Sequence, residues 1–165
     1  EIAAVSYGYA VTTYTGQNYG AGQWNRIRKG TRWAVWISLA TSGLIAALMI
    51  LFGRLITGLF ISSDTPALAL AAGDTAYRYL FVMSVFLSVL YLLYAYRSAL
   101  QGMGDTRIPL LSGVAEFAVR VGGSVIIGFT GWQNGIFFAE VGAWVAAAAL
   151  LAGAYYYRAA RLERS

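Results

Sequence analysis

Four apolar runs, each close to the length needed to cross a bilayer, dominate this sequence of 165 residues. They occupy residues 33–52, 79–100, 110–129 and 136–157, and a transmembrane helix needs about 20 mainly apolar residues. Hydrophobic residues make up 59% of the chain and charged residues 12%, against about 25% charged residues in an ordinary soluble domain. The sequence therefore predicts an all-α integral membrane protein, a polytopic helical bundle.

A shorter segment precedes these four spans. Residues 2–18 are rich in Ala, Tyr, Thr and Gly, as expected for the second half of a membrane helix whose beginning is missing. The chain starts at Glu1 without an initiator Met or a basic leader. We therefore expect residues 1–165 to form a single transmembrane bundle that belongs to a longer protein.

The connections between the predicted spans differ in charge. We expect a basic loop before residue 33, a loop over residues 61–77 with a short interfacial helix, and a tight turn over residues 101–109. Only Arg54 and Arg78 lie near the opposite ends of the spans. Nine basic residues lie on one side, namely Arg26, Arg28, Lys29, Arg32, Arg97, Arg107, Arg158, Arg161 and Arg164. Because Lys and Arg accumulate on the cytoplasmic side, we predict a plasma (bacterial inner) membrane protein with a cytoplasmic C-terminus.

The composition also excludes several classes of function. The chain has no cysteine and no histidine, so it has no disulfide framework, no cysteine metal site and no histidine general base. No phosphate-binding loop or nucleophile motif is present. The basic residues form short clusters between apolar runs, a pattern typical of a lipid-bilayer protein rather than a nucleic-acid partner. We therefore expect neither an enzyme nor a nucleic-acid-binding protein.

Three motifs carry a family resemblance. They are TGQNYGAGQWNRIRKGTR at residues 15–32, ALQGMGDTRIPLLSGVAEFAVRVGG at residues 99–123 and FFAEVGAWVAAAALL at residues 137–151. In this order and spacing they resemble the carboxy-terminal lobe of the multidrug and toxic compound extrusion (MATE) family, from its eighth helix to its twelfth. The resemblance covers nearly the whole chain.

The resemblance implies an architecture and a function. Such transporters have twelve helices in two lobes around a central cavity, so an amino-terminal lobe of the same protein would be the missing partner. The implied function is secondary active export of organic cations and drugs by antiport with Na+ or H+, with no cofactor besides the coupling ion. Two alternatives stay open, a flippase for lipid-linked saccharides from the same superfamily and a non-transporting membrane scaffold subunit.

Ionisable residues inside the spans are the ion-coupling candidates. Glu116 and Arg120 lie four apart and share a helix face, and buried charges in membranes usually face the protein interior or water. Glu116 is predicted to bind the coupling ion with Arg120 tuning it, or the two form a structural ion pair. Glu140 is predicted to pair with Arg120, to meet cationic substrates, or to touch water at the interface. One branch of the family places a carboxylate in its tenth helix, but residues 82–95 contain none.

Four further residues are substrate-cavity candidates. Gln17 and Asn18 either line a polar cavity or cap and pack a helix end. Tyr91 and Tyr94 lie three apart, so they form an aromatic face that either stacks on flat cations or packs against a neighbouring helix. Asp105, in the turn before Pro109, is predicted to cap the next helix through backbone N–H groups.

Overall fold

A computed structural model describes residues 2–61, 66–132 and 135–162, and this part of the chain consists of helices joined by short turns, without strands. Its helices are α1 (Ile2–Gly20), α2 (Trp24–Phe60), α3 (Pro66–Val85), α4 (Leu87–Gly102), α5 (Arg107–Thr130) and α6 (Gly135–Leu162). The predicted all-α membrane fold is therefore confirmed.

Three of these helices are long and apolar enough to cross a membrane by themselves. They are α2, α5 and α6, and the pair formed by α3 and α4 passes the same test as a unit, with a bend of 47° between its halves. The described chain thus contains up to four spans. This count agrees with four full spans preceded by the shorter α1.

Two predicted loops are largely helical. The predicted basic loop is helical from Trp24 onward, and the predicted loop over residues 61–77 is helical from Pro66. Arg and Lys are good helix formers, and the Ala-rich stretch after Pro66 favours a helix in the same way. Residues 62–65, which include Asp64 of the predicted loop, and residue 164 of the predicted basic tail lie outside the described part.

The predicted continuous span over residues 79–100 is also wrong in one respect. It is interrupted at Phe86, whose backbone (φ −96°, ψ 7°) lies outside the helical region. Neither Pro nor Gly lies between residues 79 and 100, so the usual sequence signals of a break are absent. The bend keeps both halves against α2, because Gly53 faces Tyr77 on α3 and the Ser42 hydroxyl lies 2.9 Å from that of Ser88 on α4.

The core of the described bundle is centred on α4. Leu93, Ala99 and Leu100 are almost completely buried there, and residues of α1, α2 and α6 pack around them. Helix α5 lies at the periphery, where Pro109 and Ser112 are its buried residues and its apolar side chains are mostly exposed. An apolar exposed helix face is what lipid contact requires, because lipid tails are as apolar as the side chains themselves.

Helices α1 and α4 approach each other through small residues. A Cβ added to Gly102 of α4 would lie 2.7 Å from the backbone oxygen of Thr12, and one added to Gly16 would lie 3.5 Å from the backbone oxygen of Gly102. The Thr12 hydroxyl also donates a hydrogen bond to the Ser98 carbonyl at 3.3 Å. This contact brings the C-terminal ends of α1 and α4 together. We call this side, which also holds the start of α2 and the end of α6, the basic end.

Candidate functional site

Four charged side chains from three helices form one network inside the predicted spans. Arg97 of α4 donates a hydrogen bond to Oε1 of Glu116 on α5. Arg120, one turn further along α5, places Nη2 3.6 Å from Oε2 of Glu116 and 2.7 Å from Oε1 of Glu140 on α6. The network therefore joins α4, α5 and α6 by alternating positive and negative charges.

Helical spacing on α5 explains how these groups line up. Ser112, Glu116 and Arg120 recur every four residues and so lie on one face of α5. The buried Ser112 hydroxyl accepts a hydrogen bond from Arg97 at 3.0 Å and donates one to the Pro109 carbonyl at 2.7 Å. Arg97 is thereby fixed at two positions on α5, which orients its guanidinium toward Glu116.

The network is electrically balanced, with two guanidinium groups and two carboxylates. Its carboxylates nevertheless differ in their surroundings. Glu116 is 12% exposed and lies between two arginines, whereas Glu140 is 31% exposed and pairs with Arg120. In the described ranges, no group of three or more His, Cys, Asp or Glu side chains is placed to hold a metal ion. Of the two carboxylates, Glu140 is the more open to an incoming cation.

The structure brings the three predicted ion-coupling residues together. Glu116, Arg120 and Glu140 belong to the same network, and Arg120 pairs with Glu140 as one of the alternatives predicted. Sequence reasoning missed Arg97, because its place at the end of a span led to its being counted with the cytoplasmic charges. A contact between α4 and α5 depends on how the two helices cross, which residue spacing along one helix does not reveal.

The two predicted tyrosines lie inside the bundle. Tyr91 is 1% exposed and its ring packs at a tilt against Tyr7, with the centroids 6.3 Å apart. Tyr94 is half-buried, with the Arg97 guanidinium 6.0 Å from its ring centroid. Tyr91 therefore packs between helices in this conformation, and Tyr94 lies beside the charge network.

The two polar residues of α1 lie at its C-terminal end, apart from the tyrosines. Asn18 is buried, and its side-chain amide donates a hydrogen bond to the Tyr14 carbonyl at 2.7 Å. The backbone carbonyl of Asn18 accepts a hydrogen bond from the Gln23 N–H at 2.8 Å, which closes the turn into α2. Gln17 is exposed. The described conformation thus does not bring the four substrate-cavity candidates into one site.

Asp105 caps α5 and joins it to α6. Its Oδ1 accepts hydrogen bonds from the backbone N–H groups of Arg107 at 3.1 Å and Ile108 at 3.2 Å, which confirms the predicted cap. Its Oδ2 accepts a hydrogen bond from Arg158 at 2.8 Å, and Arg158 also donates to the Met103 carbonyl at 3.0 Å. The last turns of α6 are therefore fixed to the turn between α4 and α5.

Comparison with known families identifies the chain. The sequence profile of the MatE family matches residues 2–126, from α1 through most of α5. The match includes Glu116 and Arg120 of the charge network, whereas Glu140 and the motif at residues 137–151 lie beyond it. A search of curated proteins finds no match. Members of the matched family are transporters rather than enzymes. Because the match covers well over half of the chain, this protein belongs to the MatE family of membrane transporters.

Proposed function

We propose that the chain forms part of a secondary transporter that exports organic cations or similar drugs by antiport with Na+ or H+. Family membership supports membrane transport in general. The observation that carries the finer proposal is the position of Arg120 between two carboxylates on different helices, 2.7 Å from Glu140 and 3.6 Å from Glu116. A cation that lies between two anions can stay with either one when the other is neutralised, so it can adopt two alternative pairings.

The switch between these pairings works by competition for Glu140. A proton or Na+ that arrives at Glu140 neutralises its charge and removes the attraction that holds Arg120 against α6. Arg120 then keeps only its pair with Glu116 on its own helix, and the link between α5 and α6 is broken. When the coupling ion leaves, the link forms again. Because the ion binds one of the two arrangements better, it shifts their populations, as coupling to alternating access requires.

Glu116 has a different role in this mechanism. It is less exposed than Glu140 and already accepts a hydrogen bond from Arg97, so an incoming ion would have to displace two guanidinium groups. We assign Glu116 as the fixed anion that retains Arg120 after Glu140 is neutralised. Glu140 is assigned as the carboxylate that exchanges the coupling ion.

Transport assays in proteoliposomes test this assignment, with the chain studied together with an amino-terminal lobe of the kind that the family resemblance implies. Ethidium efflux is measured under an imposed Na+ gradient and, separately, under an imposed proton gradient. Glu140→Gln is expected to reduce gradient-driven efflux about 5- to 150-fold, which is the range of factors that correspond to typical coupling free energies between two binding sites. Asp74→Asn is the matched control, since Asp74 is also paired with an arginine but lies in an exposed pair at the other end of the bundle.

Two results would contradict the proposal. Efflux that remains fully gradient-driven in both Glu140→Gln and Glu116→Gln would remove these carboxylates from the mechanism. Absence of efflux from the unmodified protein under either gradient would favour a non-transporting scaffold. The flippase alternative calls for cationic side chains open to a pyrophosphate, and binding of a lipid pyrophosphate to the same liposomes would favour it.

A further inference from the structure

A second cluster of charged residues lies at the basic end, apart from the network. A cavity of about 330 Å³ opens there between the first turns of α2, the end of α4 and the end of α6. We call it the basic pocket. It is lined by Asn25, Arg28, Lys29, Thr31, Arg32, Val35, Tyr96, Tyr155 and Tyr156. Its volume falls at the lower end of the range of small-ligand sites, about 300–1,000 Å³.

The charges of the basic pocket are of one sign. Arg28, Lys29 and Arg32 fall within five residues on one face of α2, and no carboxylate is found among the described residues that line the cavity. Basic side chains that line one cleft attract anions into it, so the pocket is suited to a negatively charged ligand.

The tyrosines add hydrogen-bond donors to these positive charges. The hydroxyl groups of Tyr96 and Tyr156 lie 3.1 Å apart. In such a pair one hydroxyl donates to the other, and the accepting hydroxyl keeps its own proton for a further acceptor. The Tyr156 side chain is also exposed. A phosphate in the pocket would therefore have basic side chains and a phenol donor around it.

The length of α2 places the pocket at the depth of lipid headgroups. With 37 residues, α2 is about 55 Å long at 1.5 Å per residue, whereas the hydrocarbon core of a bilayer is about 30 Å thick. Its apolar part starts at Trp33, so the basic turns before Trp33 extend beyond the hydrocarbon. Trp33 and Trp36 are 65% and 62% exposed, as expected for rings at the membrane interface.

From these observations we propose that the basic pocket binds the phosphate headgroup of an anionic phospholipid. Arg28, Lys29 and Arg32 supply the charge and the Tyr96–Tyr156 pair supplies a hydroxyl donor. The predicted orientation puts the pocket in the cytoplasmic leaflet, where anionic lipids attract basic clusters beside membrane helices. The bound lipid would bridge α2 and α6.

Lipid binding to the purified chain in a neutral detergent tests the proposal by native mass spectrometry. Dioleoyl phosphatidylglycerol is the anionic probe, dioleoyl phosphatidylcholine the zwitterionic one, and inorganic phosphate the competitor. The triple variant Arg28→Gln, Lys29→Gln, Arg32→Gln is expected to bind phosphatidylglycerol on the order of 100-fold more weakly. Tyr156→Phe is expected to weaken binding by less than the triple variant does.

A second triple variant provides the matched control. Arg26→Gln, Arg107→Gln and Arg161→Gln remove the same charge from exposed positions at the basic end that do not line the pocket. This control is expected to keep its phosphatidylglycerol affinity within a few fold. Circular dichroism without lipid verifies that each variant is folded.

Three outcomes would overturn the proposal. Equal loss of affinity in both triple variants would mean that diffuse surface charge attracts the lipid. Equal affinity for phosphatidylcholine would exclude selectivity for an anionic headgroup. Complete displacement of the lipid by an equimolar amount of inorganic phosphate would show that the site takes a free phosphate ion rather than a lipid.

Discussion

The charge network and the basic pocket both contain arginine side chains but differ in net charge. The network is electrically balanced, whereas the described lining of the pocket is positive. In the network, Arg97 and Arg120 are matched by Glu116 and Glu140 within the spans, and the four side chains are between 12% and 43% exposed. In the basic pocket, three cations lie together on exposed turns of α2, and the described lining contains no carboxylate. Both regions include residues of α4 and α6, so the contrast between them comes from their surroundings and not from the helices that carry them.

This difference follows from what each environment supplies. Inside the bilayer an unpaired charge is very costly, so a charge located there needs a partner from the protein itself. At the headgroup level, water and lipid phosphates supply the partner instead. In the network, an incoming ion therefore competes with partners inside the protein, whereas the basic pocket presents positive charge to an anion from outside.

The largest effect is expected from breaking the network. Glu116→Gln removes the carboxylate that Arg97 and Arg120 share, leaving guanidinium charge inside the bundle without full compensation. Removing one partner of a buried ion pair costs about 3–5 kcal/mol, and we expect the lower end because Glu116 keeps some exposure. The free energy of unfolding is measured by titration with sodium dodecyl sulfate in micelles, followed by circular dichroism.

The exposed pair Arg54–Asp74 is the control for this measurement. Its side chains are 74% and 63% exposed, so Asp74→Asn is expected to change the free energy of unfolding by less than about 1 kcal/mol. Equal effects of Asp74→Asn and Glu116→Gln would show that burial does not distinguish the network from a surface ion pair.

A smaller effect is expected from Arg158→Gln. This variant distinguishes the effect of lying at the basic end from the effect of being paired with a carboxylate. Arg158 lies at the basic end, as the pocket does, but it is paired with Asp105 and bonded to the Met103 carbonyl. Hydrogen bonds to charged groups contribute about 1.5–3 kcal/mol, and partial exposure reduces this to about 1–2 kcal/mol. The same detergent titration measures the loss.

Arg161→Gln serves as the comparison variant, because Arg161 is exposed one turn further along α6. It is expected to change the free energy of unfolding by less than about 0.5 kcal/mol. If Arg158→Gln were equally harmless, then pairing with Asp105 would not contribute to the stability of the basic end.

The smallest effect on stability is expected from the pocket itself. In neutral detergent without anionic lipid, the triple variant Arg28→Gln, Lys29→Gln, Arg32→Gln should change the free energy of unfolding by no more than about 0.5 kcal/mol. The reason is that all three side chains are exposed. A loss of several kcal/mol would mean that these cations stabilise the folded chain as strongly as the network does, and the contrast with the network would disappear.

The features that were predicted from the sequence are those that depend on residue spacing within one helix or turn. Glu116 and Arg120 lie on one face of one helix, and Asp105 lies just before the N–H groups that it caps. Both contacts join residues that are close in the sequence, so they could be predicted from it. The partners Arg97 and Arg158 were not predicted. Arg158 lies 53 residues from Asp105, and such contacts depend on how helices cross.

The same reasoning applies to the fold. Apolar runs of sufficient length predicted the membrane helices, because the thickness of the bilayer sets their length. The bend at Phe86 had no sequence signal, since it depends on packing of α3 and α4 along α2 rather than on a Pro or Gly. The extension of α2 to Trp24 was missed because its basic residues were interpreted as a loop, although they form helices readily.

The most direct test of the contrast is the dependence of stability on anionic lipid. The unfolding midpoint of the protein is measured in nanodiscs of phosphatidylcholine that contain increasing fractions of phosphatidylglycerol. A ligand that binds the folded state stabilises it more as the ligand concentration rises relative to the dissociation constant, so the midpoint of the unmodified protein should rise with the phosphatidylglycerol fraction. The triple variant Arg28→Gln, Lys29→Gln, Arg32→Gln should show a flat response, while Asp74→Asn should rise as the unmodified protein does. Parallel rises in the unmodified protein and the triple variant would contradict the claim that the basic pocket binds an anionic lipid.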